Sequence, residues 1–253
     1  MAGTSDADLW IRRFHPAGEG APRLICLPHA GGSASYFFPL SKMLSPAVEV
    51  LSVQYPGRQD RRAEPCVDDL RELAARLLAR LEGWTDPPPA LFGHSMGATL
   101  AYEVTRLLEA RGDAVRHLFL SGRRGPRCRR EDRMHRMGDD ELVAAMAALD
   151  GTDPRLLADP DVRAMLLPAL RGDYRAIETY VHRAGPEPSC PVTALVGDDD
   201  PVTTPAEADA WRSHTGGPFE LLTFPGGHFY LASHRAELTR LITSRLLAGA
   251  LEQ

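Results

Sequence analysis

A serine at the centre of a five-residue motif suits nucleophilic chemistry. The residues Gly93-His94-Ser95-Met96-Gly97 fit the pattern G-x-S-x-G and lie between a short apolar run and a helix-like segment. On a tight strand-to-helix turn the serine is pushed above the sheet edge, and the free N–H groups at the helix start suit a developing oxyanion. The pattern alone is weak evidence, but in this context it predicts that Ser95 is a nucleophile.

A serine hydroxyl needs a general base, and His228 is the predicted one. It follows Pro225-Gly226-Gly227 just after the last predicted strand, on a loop that can reach over the serine. In sites of this kind the chain order is serine, acid, histidine, which His228 satisfies. His29 and His94 precede the acid, so we interpret them as supporting or packing groups, and His234 has no glycine hinge.

The acid is expected after a strand between the serine and the histidine. The apolar run Val192–Val196 is followed by a glycine and three adjacent aspartates, which leaves a choice. Asp200 is favoured because the following Pro201 biases it to an extended conformation. Asp198 and Asp199 are interpreted as solvated or capping residues. The acid would fix the imidazole tautomer and stabilise the imidazolium.

Two backbone N–H groups are expected to form an oxyanion hole. One is the N–H of Met96, directly after the predicted nucleophile. The other comes from a loop after an earlier strand, and His29-Ala30-Gly31-Gly32 is that loop. We assign the second donor to the N–H of Ala30.

These residues follow short apolar runs that alternate with amphipathic segments. The predicted strands are Trp10–Phe14 as an antiparallel edge, Leu24–Leu27, Val48–Val53, Ala90–Phe92, His117–Ser121, Val192–Val196 and Phe219–Phe224. Apolar residues recur at helical spacing over residues 70–81 and 98–110, the latter closed by Gly112. Strands interleaved with helices predict an α/β fold with a mostly parallel sheet, whose ligands bind beyond the carboxyl ends of the strands.

A segment at about residues 123–189 contains no convincing strand and predicts a helical insertion. One apolar stripe consists of Leu142, Val143, Met146 and Leu149, and a second of Leu166, Leu170, Tyr174, Ile177 and Val181. Two interpretations stay open for it: packing helices that only add core, or a lid over the strand ends.

Composition indicates an ordinary globular protein and excludes some classes of function. The 253 residues suit a single domain spanning 1–253, and the net charge of −5 gives no sign of nucleic-acid binding. The segment 1–8 lacks the pattern of a signal peptide, and no apolar run is long enough to cross a membrane. Four cysteines without zinc spacing are expected to be reduced thiols. A cytoplasmic, monomeric protein is expected.

Taken together, the motifs resemble those of type II thioesterases, the free-standing editing hydrolases of polyketide and nonribosomal peptide synthetases, in the α/β-hydrolase superfamily. The resemblance rests on residues 27–34, Tyr55-Pro56-Gly57-Arg58, Gly93-His94-Ser95-Met96-Gly97, Ser121-Gly122-Arg123-Arg124, residues 197–202 and residues 225–229. It implies the α/β-hydrolase fold with a helical lid and no metal or cofactor.

The resemblance also implies a substrate and matching site residues. Members hydrolyse acyl groups from the phosphopantetheine arm of acyl or peptidyl carrier proteins. The matching positions are Ser95, Asp200 and His228 for the triad, and Ala30 and Met96 for the oxyanion hole.

Seven arginines crowd residues 123–136 against two acidic residues, a local excess of five positive charges. Carrier proteins in the pathways of this family are usually acidic. The arginines therefore suggest that this segment steers a carrier protein by charge, although a solvated, flexible connector explains them too.

Three other functions remain open from the sequence. The first is a general carboxylesterase or lipase that acts on small oxygen esters, because the triad does not distinguish them from thioesters. The second is a product-releasing thioesterase or cyclase, which normally ends a megasynthase, whereas this chain begins with Met1 and has no long linker. The third is a non-catalytic binding protein on a hydrolase scaffold.

Overall fold

The computed structural model describes residues 9–149 and 159–247, and their strands form one sheet. The strands are β1 (Ile11–Arg12), β2 (Arg23–Leu27), β3 (Glu49–Val53), β4 (Ala90–His94), β5 (His117–Ser121), β6 (Val192–Gly197) and β7 (Phe219–Phe224). Their order across the sheet is β1-β3-β2-β4-β5-β6-β7. β1 pairs antiparallel with β3, and all the other pairs are parallel.

Helices connect the parallel strands. The α-helices of the described ranges are α1 (Phe38–Leu44), α2 (Leu70–Leu78), α3 (Met96–Arg111), α4 (Asp139–Ala147), α5 (Pro160–Glu178), α6 (Pro205–Asp209) and α7 (Arg235–Leu247). Their ends follow local rules: the Asp69 carboxylate accepts the N–H groups of Arg71 and Glu72 at the start of α2. Gly112 closes α3 with a left-handed φ of 91°.

The sheet is covered on both faces. Leu73 and Leu77 of α2 and Leu100 of α3 belong to the apolar cluster on one face. Leu44 of α1 and Ile242 of α7 belong to the cluster on the other face. The central strands β4, β5 and β6 are buried along their whole length, as expected for parallel strands between two helical layers. The predicted mostly parallel α/β sheet is confirmed.

The predicted strands agree with the structure except at their ends. The antiparallel edge strand is shorter than predicted, since only Ile11–Arg12 pairs with β3. β4 runs two residues further than the apolar run, through Gly93 and His94. Side-chain hydropathy does not report these polar or glycine positions, because backbone pairing with β5 defines them.

The described part of the segment between β5 and β6 contains no strand; its helices lie in the middle, with irregular chain at 122–133 and 179–191. It contains a short 3-10 turn at Met134–Arg136, then α4 and α5. Leu142, Met146 and Leu170 form a small apolar cluster of their own. Val181, predicted to continue the second stripe, is 57% exposed because α5 ends at Glu178.

The four cysteines form no disulfide bonds. Cys26, Cys66, Cys128 and Cys190 are all unpaired, as the sequence predicts. Among the described helices, none has both the length and the apolar character needed to span a bilayer.

Candidate active site

Ser95 lies between β4 and α3 with an unusual backbone conformation. Its φ is 55° and its ψ is −117°, and the residue is half-buried. Positive φ is uncommon for residues other than glycine, and such strain concentrates at functional sites. The turn formed by residues 93–97, which we name the serine turn, therefore presents Ser95 at the carboxyl edge of the sheet.

Two glycines are required by the close packing of the serine turn. A Cβ at Gly93 would lie 2.0 Å from the carbonyl oxygen of Gly97. A Cβ at Gly97 would lie 2.1 Å from the carbonyl oxygen of Leu27, at the end of β2. Any side chain at either position would push α3 away from the sheet. The same contact places the loop after β2 directly beside the serine turn.

The end of β5 supports the serine turn. The N–H of Ser95 donates a hydrogen bond to the carbonyl of Ser121 at 2.8 Å. The Ser121 hydroxyl lies 2.9 Å from Nδ1 of His94 and 2.7 Å from the hydroxyl of Tyr230. These bonds connect the turn to the neighbouring strand and to the loop after β7.

Asp200 and His228 form a buried pair at the carboxyl ends of β6 and β7. Oδ2 of Asp200 accepts a hydrogen bond from Nδ1 of His228 at 2.8 Å, with side chains 0% and 3% exposed. Oδ1 of Asp200 accepts the N–H groups of Val202 at 2.8 Å and Thr203 at 3.1 Å. A carboxylate on Nδ1 keeps the proton of a neutral imidazole there and leaves Nε2 as an acceptor.

Hydrogen bonds hold the loops after β6 and β7 together. The N–H of Asp199 donates to the carbonyl of Gly226 at 3.0 Å, and the N–H of Gly226 donates to Oδ1 of Asp198 at 2.8 Å. A Cβ at Gly197 would lie 2.3 Å from the carbonyl oxygen of Gly226. Glycine at this position therefore permits the two loops to approach, and both Asp198 and Asp199 are exposed.

His94 packs beside the imidazole of His228, and His29 packs against His94. The ring centroid of His94 lies 5.0 Å from that of His228 and 6.0 Å from that of His29. Burial, followed by the charge of His228, lowers the pKa of His29 to about 3 and holds the pKa of His94 well below its usual value. Both are neutral at neutral pH, so neither adds a positive charge beside His228.

A buried ion pair holds the loop that carries Ala30. Oδ2 of Asp173, in α5, accepts the N–H of Gly31 at 2.7 Å and pairs with the guanidinium of Arg58. Nε of Arg58 donates to the carbonyl of Gly32 at 3.2 Å. The two side chains are 4% and 1% exposed. The insertion helix and the loop after β3 thus fix the backbone next to Ala30.

Sequence reasoning assigns no role to either member of this pair. Arg58 stands in the motif Tyr55-Pro56-Gly57-Arg58, and Asp173 lies inside the apolar stripe of α5, next to Tyr174. An acidic residue on a buried helix face needs a partner, because burying a lone charge costs several kcal/mol. That position in the stripe is the signal by which Asp173 is recognisable.

An apolar cavity of about 370 Å³ adjoins the loop that contains Ala30. Its walls come from that loop and from α4 and α5. The lining residues from the two helices are Val143, Met146, Arg163, Leu166, Leu167 and Leu170. A second cavity of about 710 Å³ is lined mainly by residues 123–132 and 177–182, with many charged side chains; Ala30 borders only the smaller of the two cavities, and Ser95 borders neither. The smaller cavity is therefore the one suited to an apolar acyl chain.

The arginine-rich segment is less positive than its sequence indicates. Arg124 pairs with Asp132, and Arg130 pairs with Glu207 through two hydrogen bonds of 2.6 and 2.8 Å. Arg127 and Arg129, named here the free arginines, are exposed and form no ion pair within the described ranges. Together with Arg136, which is exposed and donates only to Nε2 of His135, they carry exposed charge that this segment leaves uncompensated.

The predicted site residues thus lie at one edge of the sheet. Asp200 and His228 are in contact, and the residues predicted to supply oxyanion donors, Ala30 and Met96, are buried beside the serine turn. Across the described ranges, Ser95 Oγ makes no hydrogen bond to His228. Such bonds are often long in unliganded enzymes and tighten when substrate binds.

The parallel sheet with an antiparallel edge strand, the strained serine at a strand-to-helix turn and the helical insertion define a protein of the α/β-hydrolase fold. The family model for the thioesterase domain matches residues 22–246. The chain belongs to the thioesterase family and is a hydrolase that acts on thioesters.

Relatives with similar sequences and structures agree with this family. Thioesterase PikA5 of Streptomyces venezuelae is 51% identical over 244 residues, which cover 96% of this chain and 87% of that protein. The type II thioesterase BorB from the borrelidin biosynthetic cluster has a TM-score of 0.90 at 51% identity, covering 96% of this chain and 99% of that chain.

A more distant solved structure has the same fold. It is YbtT, a type II thioesterase from the yersiniabactin NRPS/PKS biosynthetic pathway, with a TM-score of 0.83 at 30% identity, covering 92% of this chain and 96% of that chain. The resemblance to type II thioesterases stated from the motifs is confirmed.

Proposed function

We propose that the protein is an editing thioesterase that hydrolyses acyl groups from the phosphopantetheine arm of acyl or peptidyl carrier proteins. The observation that carries the proposal is the buried Asp200–His228 pair at the same edge of the sheet as the strained Ser95, in a chain of the thioesterase family. The biosynthetic clusters of BorB and YbtT support the carrier protein as partner and polyketide or nonribosomal peptide biosynthesis as the setting.

In the proposed reaction Ser95 Oγ attacks the thioester carbonyl while Nε2 of His228 takes the hydroxyl proton. The oxyanion of the tetrahedral intermediate receives hydrogen bonds from the N–H groups of Ala30 and Met96. Its collapse expels the phosphopantetheine thiolate, which takes the proton from His228 to become the thiol, and leaves the acyl group on Ser95. Since a thiol has a pKa of about 8.5, it leaves with less help than an alkoxide needs.

The second half of the reaction releases the acid. Water enters as the second nucleophile, and His228 takes its proton as it attacks the acyl-enzyme carbonyl. Collapse of this intermediate returns the proton to Ser95 Oγ and frees the carboxylic acid. Asp200 stabilises the imidazolium in both halves without taking the proton, and its bonds to Val202 and Thr203 keep it oriented.

The helical insertion at about residues 123–189 would act as the lid of the acyl chamber. Support comes from the apolar cavity between α4, α5 and the loop that contains Ala30. The free arginines, Arg127 and Arg129, would meet the acidic surface of the carrier protein. A single domain over residues 1–253, a monomeric state and a cytoplasmic location remain predictions.

The proposal is tested by loading carrier proteins with a panel of acyl groups and measuring their release by mass spectrometry. We expect the wild type to release acyl groups and Ser95→Ala to lose the activity, since no other group replaces its nucleophilic oxygen. Ser213→Ala, a change at an exposed serine whose hydroxyl contacts only a backbone carbonyl, is the matched control.

Two outcomes would contradict the proposal in different ways. Hydrolysis that survives in Ser95→Ala would overturn the assignment of the nucleophile. A larger kcat/KM for a plain oxygen ester than for the carrier-bound thioester would favour the carboxylesterase function.

A further inference from the structure

We propose that His182, Glu187 and His214 form a binding site for one zinc ion, separate from the catalytic machinery. Their ligand atoms all lie within 4.8 Å of one another. Both histidine side chains are nearly buried, at 4% and 3% exposure, and the glutamate is 25% exposed. The proposed thioesterase reaction uses none of the three residues.

The spacing of the ligand atoms fits a tetrahedral metal. Oε1 of Glu187 lies 3.3 Å from Nδ1 of His214 and 3.7 Å from Nε2 of His182. Two ligands about 2.1 Å from a tetrahedral zinc are about 3.4 Å apart. The carboxylate is already near this distance from both imidazoles, and the two imidazole nitrogens, within 4.8 Å of each other, would close by up to about 1.4 Å around an ion.

Neighbouring residues hold the three ligands in place. Arg106 of α3 donates hydrogen bonds to the carbonyls of Pro186 at 2.9 Å and Arg183 at 3.1 Å, which fixes the loop that carries Glu187. The hydroxyl of Tyr102, also in α3, bonds to the second oxygen of Glu187 and lies 3.0 Å from Nε2 of His182. The site is thus assembled before any ion binds.

The donor set selects the class of metal. Two imidazole nitrogens with one carboxylate oxygen suit zinc and similar transition metals, whereas magnesium and calcium prefer oxygen ligands alone. A fourth position is available to the Tyr102 hydroxyl or to water. The charge of Arg106 beside the site is opposed by Glu103, 3.3 Å from it.

The position of the site indicates a structural role. His182 and Glu187 lie on the loop that leads from α5 back to the sheet, and His214 ends the 3-10 turn Ala210–His214. Tyr102 lies in α3, seven residues after Ser95, which directly precedes the helix, and this is about 10 Å along the helix axis. A bound zinc would tie the end of the helical insertion to the core at a distance from the reacting groups.

The test uses untagged, metal-free protein, because a histidine tag would bind zinc itself. Zinc is titrated against a competing chelator, cobalt is added separately to record its visible absorption, and Tm is measured with and without zinc. We expect one zinc per chain, the intense visible bands of four-coordinate cobalt, and a Tm higher by several degrees. Magnesium and calcium are expected to leave Tm unchanged.

Two substitutions and one control assign the site. His214→Ala and His182→Gln are each expected to weaken zinc binding at least about tenfold, and hydrolysis of a small thioester shows that each variant is folded. The control is His234→Ala, since His234 is paired with Glu237 at 2.7 Å and no third ligand is grouped with them in the described chain. Wild type that binds no zinc, or variants that bind it as tightly as wild type, would overturn the proposal.

Discussion

The backbone after β6 determines which of the three adjacent aspartates faces the imidazole of His228. The carboxylate of Asp198 accepts the N–H of Gly226, and the N–H of Asp199 donates to the carbonyl of the same glycine. The carboxylate of Asp200 instead points inward to His228. The N–H groups of the following two residues then occupy the second oxygen of Asp200. Adjacent residues of identical chemistry thereby acquire different environments, one buried and two exposed.

This difference makes a matched pair of substitutions informative. Asp200→Asn is expected to lower kcat by about 10³–10⁴-fold, because an amide at this position favours the wrong imidazole tautomer. Asp199→Asn removes the same charge one residue away at an exposed position and is expected to leave kcat within about twofold of wild type. Steady-state kinetics on a small thioester measures both.

Equal losses of kcat in the two variants would mean that Asp200 acts through its charge and not through its contact with His228. Loss of activity in Asp199→Asn alone would move the role of the acid to that residue.

The sequence predicts the residues of this site better than it predicts their supports. Ser95, Asp200 and His228 are recognisable because each follows a strand in a fixed order with glycines beside it. Arg58 and Asp173 lie far apart along the chain and meet only when α5 folds over the loop after β2. A contact of this kind leaves no pattern in the nearby sequence, except that the charged Asp173 stands within an apolar helical stripe.

At the scale of elements, α5 and the loop after β2 are joined through one carboxylate. Asp173 accepts the Gly31 N–H and neutralises Arg58, which in turn holds the carbonyl of Gly32. Burial raises the pKa of Asp173, and Arg58 with the Gly31 N–H opposes that rise. Removing one partner therefore leaves the other as an uncompensated buried group.

Asp173→Asn is expected to destabilise the protein by about 3–5 kcal/mol, because Arg58 then remains buried without a counter-charge. It is also expected to lower kcat more than it changes KM, since the loop that carries Ala30 loses its anchor. Urea unfolding and kinetics on a small thioester measure the two effects. Asp161→Asn, at an exposed position in the first turn of the same helix, is the control.

A double substitution separates stability from positioning. Arg58→Met combined with Asp173→Leu replaces the ion pair by apolar side chains and is expected to recover most of the lost stability. Activity is expected to stay low, because no carboxylate then accepts the Gly31 N–H. Full recovery of kcat in the stable double variant would show that the pair serves folding alone.

The apolar spacing predicts the helices of the insertion but not where the second one ends. The apolar spacing predicts α4 and α5, and both are present. The same spacing places Val181 in the second stripe, but the helix has already ended at Glu178. The His182–Glu187–His214 group has no sequence signature either, because two of its ligands lie on one loop and the third lies in a separate 3-10 turn.

At the scale of the molecule, a chain of net charge −5 presents a local positive surface. Ion pairs neutralise Arg124 and Arg130. The exposed charge then rests on Arg136 and on the free arginines, Arg127 and Arg129, which lie nearer the start of the insertion. An acidic partner would be attracted to this region against the repulsion of the remaining surface.

Arg127→Ser with Arg129→Ser is expected to lower kcat/KM for carrier-bound acyl groups several-fold at low salt and to spare a small thioester. The effect should shrink as ionic strength rises, because salt screens exposed charges. The control is Arg62→Ser with Arg240→Ser, which removes two exposed charges from other parts of the surface. Equal losses on both substrates, or an equal loss in the control, would contradict docking at this segment.

The anchor between α5 and Gly31 has a consequence for the timing of turnover. If α5 acts as the proposed lid, a swing wide enough to admit an acyl chain also withdraws Asp173 from the loop that carries Ala30. Substrate entry and bond cleavage then occur one after the other, because the oxyanion hole is not held in position while the lid is open. An acyl substrate that dissociates before the lid closes is not hydrolysed. The enzyme would therefore discriminate between acyl groups by their residence time as well as by their shape.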